Sequence, residues 1–451
     1  MLNSKVFRAY DIRGVADVDF GDDAIHKLGK AFGSMVIARG GQSIAVGRDC
    51  RMSGARLFEA FAKGAQSSGA HVYGLGTVAT PLSYFSESHL NADAAVSITG
   101  SHNPADWNGF KFSIQKMALF GDDIQQMRHR IEHKEFESGH GTIDHIDLIP
   151  AYIEHVLGTL RPIERSVRVV CDAGSGMAGP VAPAIYEAMG ATVVPLYCEP
   201  DGTFPFHHPD PTEAENLVDL RKTLRETSAN LGVAFDGDAD RLGAISGDDR
   251  IVWGDQLMLL FAQSILQDHP DAHFLAEVKC SDVLFDRIRS LGGKIEMGKV
   301  GHSLIKARMR ETGAMLAGEM SGHLFFNDRY LGYDDGIYAG ARLIELLGRG
   351  EADLPKFLDG LPKTVATPEI RIPCADDKKF TVVEAAKSRL RADYELTEID
   401  GLRLRTDGGW GLLRASNTQP ALVMRVEATT DEDLAHVREI IETVVNELIH
   451  D

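Results

Sequence analysis

The stretch "FDGDADR" places three aspartates at alternate positions directly after an apolar run. Asp236, Asp238 and Asp240 can therefore converge at one strand end, where their charges repel strongly in a protected site. A divalent cation with oxygen ligands removes that repulsion, and three carboxylates suit Mg²⁺. Arg241 follows directly and could hold an anion beside the metal. An EF-hand is excluded because its sixth position would be Arg241 and its twelfth Gly247, which leaves a solvated acidic turn as the alternative.

A second stretch, "ITGSHNP", sets Ser101 beside His102 and raises the question of a serine nucleophile. Neighbouring side chains of an extended segment diverge, whereas a serine and its base must approach within about 3 Å. Taken alone, the stretch favours a capping or turn serine. If the two loops lie at equivalent strand ends, however, Ser101 lies near the cation, where its oxygen could carry a phosphoryl group. A phosphoserine needs no neighbouring histidine to activate it.

The elements that would position these loops recur in three passes along the chain. Each pass has three short β-rich runs that end in glycines and small polar residues, with helical spacing between them. The runs are 43–54, 71–81 and 94–104, then 167–179, 191–202 and 231–241, then 273–282, 293–303 and 313–323. Such alternation predicts parallel sheets covered on both faces, with ligands at the carboxyl ends of the strands. The third run of each pass should deliver its loop, TGSHNP, DGDADR or GEMSGH, to one site.

The last ninety residues break this rhythm. Residues 401–428 are typical of adjacent strands joined by turns, with Gly408 and Gly409 as turn residues. A helix with Thr430 as its N-cap is predicted next, from the apolar positions Leu434, Val437, Ile441, Val444 and Leu448.

The sequence thus predicts an α/β protein with an active site in a central cleft. It has three tandem α/β domains of similar topology, with mixed, mostly parallel sheets, and a C-terminal α+β domain. The predicted domains are 1–146 with the serine loop, 147–249 with the metal-binding loop, 250–362 with the GEMSGH loop, and 363–451.

Composition excludes several classes of protein. The 451 residues carry a net charge of −19, and no basic run suggests a groove for nucleic acid. No apolar run approaches the roughly 18 residues of a membrane span, and the N-terminus shows no signal peptide. Five scattered cysteines without a C-x-x-C pair argue against disulfides and structural zinc. We therefore expect a cytoplasmic protein, in which an anionic substrate needs a local positive pocket.

Six motifs together resemble those of a known family. They are "FRAYDIRG" (7–14), "TGSHNPADWNGFK" (99–111), "DGDADR" (236–241), "KVGHS" (299–303), "GEMSGH" (318–323) and "RASNTQP" (414–420). Over essentially its whole length the chain resembles the α-D-phosphohexomutases, most closely the phosphomannomutase/phosphoglucomutase branch, which Met320 in "GEM" favours. Phe206 and Ala214 depart from the expected asparagine and proline, in a connecting segment.

The resemblance implies a role for each matching residue. Ser101 would be a phosphoserine, and one of its oxygens would bind Mg²⁺ together with Asp236, Asp238 and Asp240. The implied catalytic residues are Ser101, His102, Lys111, Arg13, Arg241 and His323. The implied substrate-binding residues are Tyr10, Lys279, His302, Glu319, Ser321, His323, Arg414, Ser416, Asn417 and Thr418, of which the last four grip the non-transferring phosphate. Lys111, His102 and His323 all remain candidates for general acid or base.

The implied activity interconverts mannose 6-phosphate with mannose 1-phosphate, and glucose 6-phosphate with glucose 1-phosphate. A hexose 1,6-bisphosphate is the intermediate and activator, and it reorients in the cleft. The expected partners are small phosphosugars, without nucleic acid, membrane or an obligate protein partner. One alternative is a metal-dependent phosphosugar phosphatase with a phosphoserine intermediate. Another is a non-catalytic phosphosugar-binding protein, which the intact Ser101 and three aspartates disfavour. The preferred sugar, the pathway, the oligomeric state and the degree of domain closure stay open.

Overall fold

The computed structural model describes residues 2–417 and 420–450, and the strands in these residues form four sheets. Domain I begins with a 3₁₀ helix (Ser4–Val6) and contains β1 (Ile12–Val15), α1 (Ala16–Asp19), α2 (Asp22–Ala38), β2 (Ser43–Arg48), α3 (Gly54–Ser67), β3 (His71–Thr77), α4 (Thr80–His89), β4 (Ala94–Ile98), β5 (Trp107–Ile114), β6 (Met117–Ala118), α5 (Asp122–His133) and β7 (Ile143–His145). The sheet of this domain has the strand order β1-β5-β4-β2-β3-β7, with β6 paired to β5.

The second and third sheets belong to domains II and III. Domain II contains α6 (Ile149–Thr159), β8 (Arg168–Asp172), α7 (Ala182–Ala188), β9 (Thr192–Leu196), a 3₁₀ helix (Ala214–Leu217), α8 (Val218–Thr227), β10 (Leu231–Phe235), β11 (Leu242–Ser246) and β12 (Ile251–Val252). Domain III contains α9 (Gly254–Asp268), β13 (His273–Glu277), α10 (Asp282–Ser290), β14 (Lys294–Gly298), α11 (His302–Thr312), β15 (Leu316–Gly318), β16 (Leu324–Phe326), α12 (Gly336–Gly348) and α13 (Leu354–Asp359). The sheet orders are β12-β11-β10-β8-β9 and β14-β13-β15-β16.

One strand order recurs in these three domains. The four repeated strands are β2, β3, β4 and β5 in domain I, β8, β9, β10 and β11 in domain II, and β13, β14, β15 and β16 in domain III. The first strand lies between the second and the third and is parallel to both. The fourth returns antiparallel to the third. The predicted similar topology of the three domains is confirmed, and the loop between the third and fourth strands is equivalent in each.

The C-terminal domain has a different construction. It contains β17 (Val365–Ala366), β18 (Ile370–Pro373), α14 (Lys379–Leu390), β19 (Glu395–Thr397), β20 (Leu402–Arg405), β21 (Gly409–Ala415), β22 (Ala421–Ala428) and α15 (Asp431–His450). Its strands pair antiparallel, in the order β17-β22-β21-β20-β19 with β18 on β22. The hydroxyl of Thr430 accepts the backbone N–H of Asp433 at 3.1 Å, so the predicted N-cap of the last helix is confirmed.

One large apolar cluster spans the first three domains, and domain I has a second cluster of its own. The large cluster contains Ala45 and Leu82 of domain I, Tyr152 and Val233 of domain II, and Leu316 of domain III, all buried. The C-terminal domain has a cluster of its own. A small group formed by Val278, Trp410 and Leu412 joins it to domain III. Domains I to III therefore share their hydrophobic stabilisation, whereas most of the C-terminal core is local.

The predicted limits near 146, 249 and 362 remain predictions. The first falls directly after β7 and the third between α13 and β17, whereas β12, which pairs with β11, lies just past the second. No helix within residues 2–417 and 420–450 is long and apolar enough to cross a membrane.

Two helices of domain I pack so closely that glycine is required between them. A Cβ on Gly64 of α3 would lie 2.0 Å from the carbonyl oxygen of His26 in α2. We expect Gly64→Ala to destabilise the protein by about 1–3 kcal/mol, because the helices must move apart. Gly158→Ala in α6 is the control, since nothing lies within 4 Å of its added Cβ. Thermal unfolding should show a lower midpoint for the first variant and an equal or higher midpoint for the second.

Candidate active site

Ser101 lies in the loop after β4 and points toward domain II. Its backbone has φ +50°, in the left-handed region, and its side chain is buried, with 2% of the residue exposed. The Ser101 hydroxyl donates to Oδ2 of Asp236 at 2.8 Å. The loops after the third strands of domains I and II therefore meet, as the sequence predicts.

His102 corrects one step of the sequence argument. Its Nδ1 lies 3.2 Å from the Ser101 Oγ, so the prediction that these neighbouring side chains diverge is wrong. The segment is not extended at this point, because Ser101 adopts the left-handed conformation. Burial, together with the positive charges of Arg241 and Arg13, holds the pKa of His102 well below its usual value. A neutral imidazole therefore faces the serine.

The three aspartates after β10 form one buried cluster. Asp236, Asp238 and Asp240 are each 0% exposed, and each offers an oxygen within 4.8 Å of those of the other two. Burial first, and then the two neighbouring carboxylates, raise the pKa of Asp236 well above its usual value. Within the described part of the chain, Oδ1 of Asp238 is buried and has no hydrogen-bond partner. This donor set fits a hard divalent cation.

Lys111 supplies positive charge to this cluster from β5. Its Nζ donates to Oδ2 of Asp238 at 2.7 Å and to Oδ2 of Asp240 at 2.5 Å. Burial alone would lower the pKa of Lys111, but Asp238 and Asp240 outweigh it and raise that pKa. Lys111 alone does not balance the charge of the three carboxylates.

The GEMSGH loop after β15 reaches the same cluster. His323 Nε2 lies 3.1 Å from Oδ1 of Asp240, and its Nδ1 lies 2.9 Å from Oε2 of Glu319 and 3.1 Å from Ser321 Oγ. Burial opposes the charged form of both groups, but His323 outweighs it at Glu319, and Asp240 outweighs it at His323. As a result the pKa of Glu319 is lowered to about 2, and the pKa of His323 is raised to about 9. All three equivalent loops therefore meet, as predicted.

Arg241 and His302 border the centre on two sides. Arg241 Nε lies 3.4 Å from His323 Nε2 and 3.7 Å from Oδ2 of Asp236. The His302 ring stacks on that of His323 with 5.7 Å between centroids, and its Nδ1 lies 3.3 Å from Oδ2 of Asp334. Both predicted residues are therefore beside the loops, and the arginine is placed to meet an anion at the acidic cluster.

Tyr10 joins three domains at one point. Its hydroxyl donates to the carbonyl of Val300 at 3.0 Å, and Nδ2 of Asn417 donates to the same hydroxyl. Gly301 has φ +128°, and a Cβ on it would lie 2.8 Å from the Tyr10 ring. This contact brings the predicted tyrosine of domain I and the asparagine of the C-terminal domain together.

Two cations, the buried Arg414 and the half-buried Lys279, lie toward the C-terminal domain. Arg414 Nε pairs with Oδ2 of Asp400 at 3.0 Å, while Lys279 Nζ lies 3.5 Å from Glu369 and 3.9 Å from Glu277. Although burial alone would lower it, Glu277 and Glu369 raise the pKa of Lys279. Both cations are therefore already paired with carboxylates, Arg414 with one and Lys279 with two.

Three more predicted site residues remain, namely Ser416 and Thr418 of the C-terminal domain and Arg13 of domain I. Ser416 is buried, and its backbone N–H donates to the carbonyl of Ala421 at 2.9 Å. Thr418 lies outside the described residues. In domain I, Arg13 is paired with Asp11 at 2.7 Å.

Sequence reasoning missed a buried ion pair that holds the serine loop. Asp49 and Arg51 follow β2, with Oδ2 and Nε 3.0 Å apart and exposures of 0–1%. The guanidinium of Arg51 donates to the carbonyl oxygens of Ser101 and Asn103 at 2.8 and 2.6 Å. The letters "RDCR" at the end of a strand, where ligands collect in α/β sheets, were the available signal. Thr80, which donates to Oδ2 of Asp238 at 2.6 Å, gave no signal in the sequence.

Three α/β domains that turn equivalent loops toward one buried carboxylate cluster define a multidomain α/β enzyme with a candidate cation site. Profiles of the phosphoglucomutase/phosphomannomutase α/β/α domains I, II and III match residues 4–138, 150–249 and 253–365. The profile of the C-terminal domain of the same family matches residues 369–444. The chain belongs to the phosphoglucomutase/phosphomannomutase family.

Individual relatives agree over nearly the whole chain. A phosphomannomutase/phosphoglucomutase of Pseudomonas aeruginosa is 42% identical over 97% of this chain and 95% of its own. A phosphoglucomutase of Neisseria gonorrhoeae is 41% identical over 100% and 98%. A crystal structure of a phosphoglucomutase/phosphomannomutase family protein from Burkholderia thailandensis has a TM-score of 0.94 at 41% identity, covering 99% of this chain and 98% of that one.

The acidic cluster predicts that a cation stabilises the fold. Mg²⁺ at a hundred times its dissociation constant should add about 2.7 kcal/mol to the unfolding free energy and raise the thermal midpoint. We expect Asp238→Asn to lose most of this rise, because it removes one of three charged ligands. Glu87→Gln, a buried carboxyl of domain I that holds Ser113 and the N–H of Lys116, should keep the rise. An equal Mg²⁺-dependent rise in Asp238→Asn and the wild type would contradict the assignment.

Proposed function

We propose that this chain is a phosphohexomutase that interconverts mannose 6-phosphate with mannose 1-phosphate and glucose 6-phosphate with glucose 1-phosphate. The observation that carries the proposal is the 2.8 Å contact of Ser101 Oγ with Asp236, which puts a serine oxygen at the edge of a cation site. Family membership and the names of the relatives at 41–42% identity support the same activity.

Ser101 is the phosphoryl carrier in this proposal. The bond from phosphorus to the serine oxygen breaks while a bond to the free hydroxyl oxygen of a hexose phosphate forms. The hydroxyl proton passes to a base of the chain, and the serine oxygen takes up a proton from an acid of the chain. The product is a hexose 1,6-bisphosphate. It reorients in the cleft, and its other phosphoryl group returns to Ser101, so no phosphate is lost.

The metal of the proposal is Mg²⁺. Asp236, Asp238 and Asp240 would hold it with an oxygen of the phosphorylated Ser101. When bound, the ion supplies positive charge that stabilises the transferring phosphoryl group. Lys111 of the chain itself would add a second positive charge beside the metal, because its Nζ lies 2.5–2.7 Å from oxygens of Asp238 and Asp240.

Three residues of the chain are candidates for the general acid and the general base. His102 is neutral and lies 3.2 Å from Ser101 Oγ, so it can accept a proton there. His323 has a pKa of about 9 and is protonated at neutral pH, so it can donate one. Lys111 is held by two carboxylates, which leaves it best suited to neutralising charge.

A second anion site distinguishes a mutase from a phosphatase. We assign Arg414, Ser416, Asn417 and Thr418 to the phosphate that is not being transferred. The buried Arg414 supports this role, because a guanidinium can hold two phosphate oxygens at once. A hexose 1,6-bisphosphate with one end at Ser101 needs such a grip at the other, whereas a phosphatase does not.

Glu319 and His323 are assigned to the sugar hydroxyls. A carboxylate accepts from, and an imidazolium donates to, adjacent equatorial hydroxyls. The 3- and 4-hydroxyls lie midway between the phosphates, so they occupy similar places in both orientations of the bisphosphate. The substrates are thus small phosphosugars, and we place the enzyme in the cytoplasm, without nucleic acid, membrane or an obligate protein partner.

The phosphoryl carrier can be tested directly. We expect the purified chain to accept one phosphoryl group on Ser101, seen by intact mass and peptide mapping after exposure to glucose 1,6-bisphosphate. A coupled assay for glucose 6-phosphate formed from glucose 1-phosphate should show turnover without inorganic phosphate release. Ser101→Ala should abolish it, while Ser113→Ala, a buried serine of β5, should not. Release of inorganic phosphate in step with turnover would instead indicate the phosphatase, and binding without turnover a binding protein.

Sugar selection gives a second test. Mannose and glucose differ at C2, so their 1-phosphates should have comparable kcat/KM. Galactose inverts C4 and leaves a buried partner unpaired, so its 1-phosphate should be at least about a hundredfold worse. Glu319→Ala should lose this discrimination, whereas Met320→Leu should keep it, because the volume at that position is nearly conserved. Equal steady-state kcat/KM values for galactose and glucose 1-phosphates would refute the assignment of Glu319.

A further inference from the structure

The repeat places a buried acid at the carboxyl end of the first strand in each of the three α/β domains. Asp49 directly follows β2, Asp172 ends β8 and Glu277 ends β13, and all three are at most 1% exposed. A buried carboxylate is costly unless hydrogen bonds compensate it. The donors that surround each of the three acids therefore indicate what it does.

Asp49 binds the serine loop. Its Oδ2 accepts the backbone N–H of Gly100 at 3.1 Å and the hydroxyl of Thr99 at 2.8 Å. The same threonine Oγ1 accepts the backbone N–H of Ser101 at 2.8 Å. The two residues before the serine, and the serine's own N–H, are thus fixed through one carboxylate. Arg51 completes the arrangement, since it pairs with Asp49 and holds the Ser101 carbonyl.

Glu277 binds the GEMSGH loop in the same manner. Its Oε1 accepts the backbone N–H of Met320 at 3.1 Å, and its Oε2 accepts that of Lys279 at 2.8 Å. Met320 is the second residue after β15, as Gly100 is the second after β4.

Strand register confirms the equivalence of these two acids. Arg48 of β2 lies opposite Ile98 of β4, and Ala276 of β13 lies opposite Gly318 of β15. In both domains the acid is the next residue beyond the last position at which the first repeated strand pairs with the third. The two carboxylates therefore occupy the same place relative to their loops.

Asp172 differs from the other two. It pairs in register with Ala234, one residue before the end of β10. Its carboxylate contacts the N–H of Gly174 at 2.9 Å and Nε2 of His207 at 3.1 Å. No hydrogen bond between its side chain and residues 236–241 occurs in the described structure. It is a buried acid at the same strand end that does not hold a site loop.

We propose that Asp49 and Glu277 are positioning residues, each of which sets the backbone of one site loop through the N–H of the second residue after the third repeated strand. The inference rests on the proposed mutase function. Asp49 acts through Ser101, so it governs the transfer step. Glu277 acts through the GEMSGH loop and Lys279, so it governs sugar binding and discrimination. Neither residue needs to touch the substrate.

Four variants test the roles by steady-state kinetics with glucose and galactose 1-phosphates. Asp49→Asn can place an amide N–H donor against the Thr99 hydroxyl and the Gly100 N–H, which are donors themselves. The loop should shift and displace Ser101, and kcat should fall by about 10–100-fold with little change in KM. Thr99→Val keeps the Asp49–Arg51 pair and should lower kcat in the same direction. Glu277→Gln should raise KM and reduce discrimination against galactose, with a smaller effect on kcat.

Asp172→Asn is the matched control, because it neutralises a buried acid at the equivalent strand end. It should change neither kcat nor KM, whatever its effect on the thermal midpoint. The proposal is overturned by unchanged kcat in folded Asp49→Asn and Thr99→Val, by an equal fall of kcat in Asp172→Asn, or by a Glu277→Gln variant that loses only kcat. If Asp49→Asn does not fold, the kcat of Thr99→Val alone tests the role proposed for Asp49. A wild-type chain without mutase activity overturns the proposed function, whereas an active wild type with unaffected variants overturns the positioning roles alone.

Discussion

Burial of three like charges in one short loop is the constraint on which the cleft depends. Asp236, Asp238 and Asp240 lie out of contact with water, where carboxylates repel strongly, and burial together with the other two carboxylates raises the pKa of Asp236. Lys111 from domain I and His323 from domain III form ion pairs with these aspartates, so electrostatic attraction holds domains I and III to domain II. The close grouping of the three carboxylates and the unpartnered Oδ1 of Asp238, within the described residues, are what favour a divalent cation in the proposed function.

The threefold repeat explains how unlike chemistries reach one place. Each α/β domain ends its third strand at the cleft, and the loop beyond it can vary without disturbing the sheet. One loop presents a hydroxyl, one presents carboxylates, and one presents Glu319 with His323. The C-terminal domain contributes differently, through Arg414 and through the contact of Asn417 with Tyr10. Repetition thus supplies the common geometry, while the loops supply the separate functions.

Much of this arrangement follows from the sequence because its signals are local. The β-rich runs, the alternate aspartates and the apolar spacing of the last helix depend on residues within a few positions of one another. The features that could not be predicted are long-range hydrogen bonds and unusual backbone conformations. Asp49 accepts hydrogen bonds from Thr99 and Gly100, which lie about fifty residues away in the sequence. A local sequence pattern cannot predict such a partner. The contact of Ser101 with His102 was predicted wrongly, because a left-handed backbone at a serine cannot be inferred from the letters around it.

The large apolar cluster that spans domains I to III has a consequence for synthesis on the ribosome. Ala45 and Leu82 pack into a cluster that also needs Val233 and Leu316. At about 5–20 residues per second, the roughly 270 residues from the first of these to the last take on the order of 15–55 s to appear. During that interval one apolar face of domain I is uncovered in the nascent chain. Folding of the early domains is therefore completed by later ones, and prematurely terminated chains are expected to aggregate or to be held by chaperones.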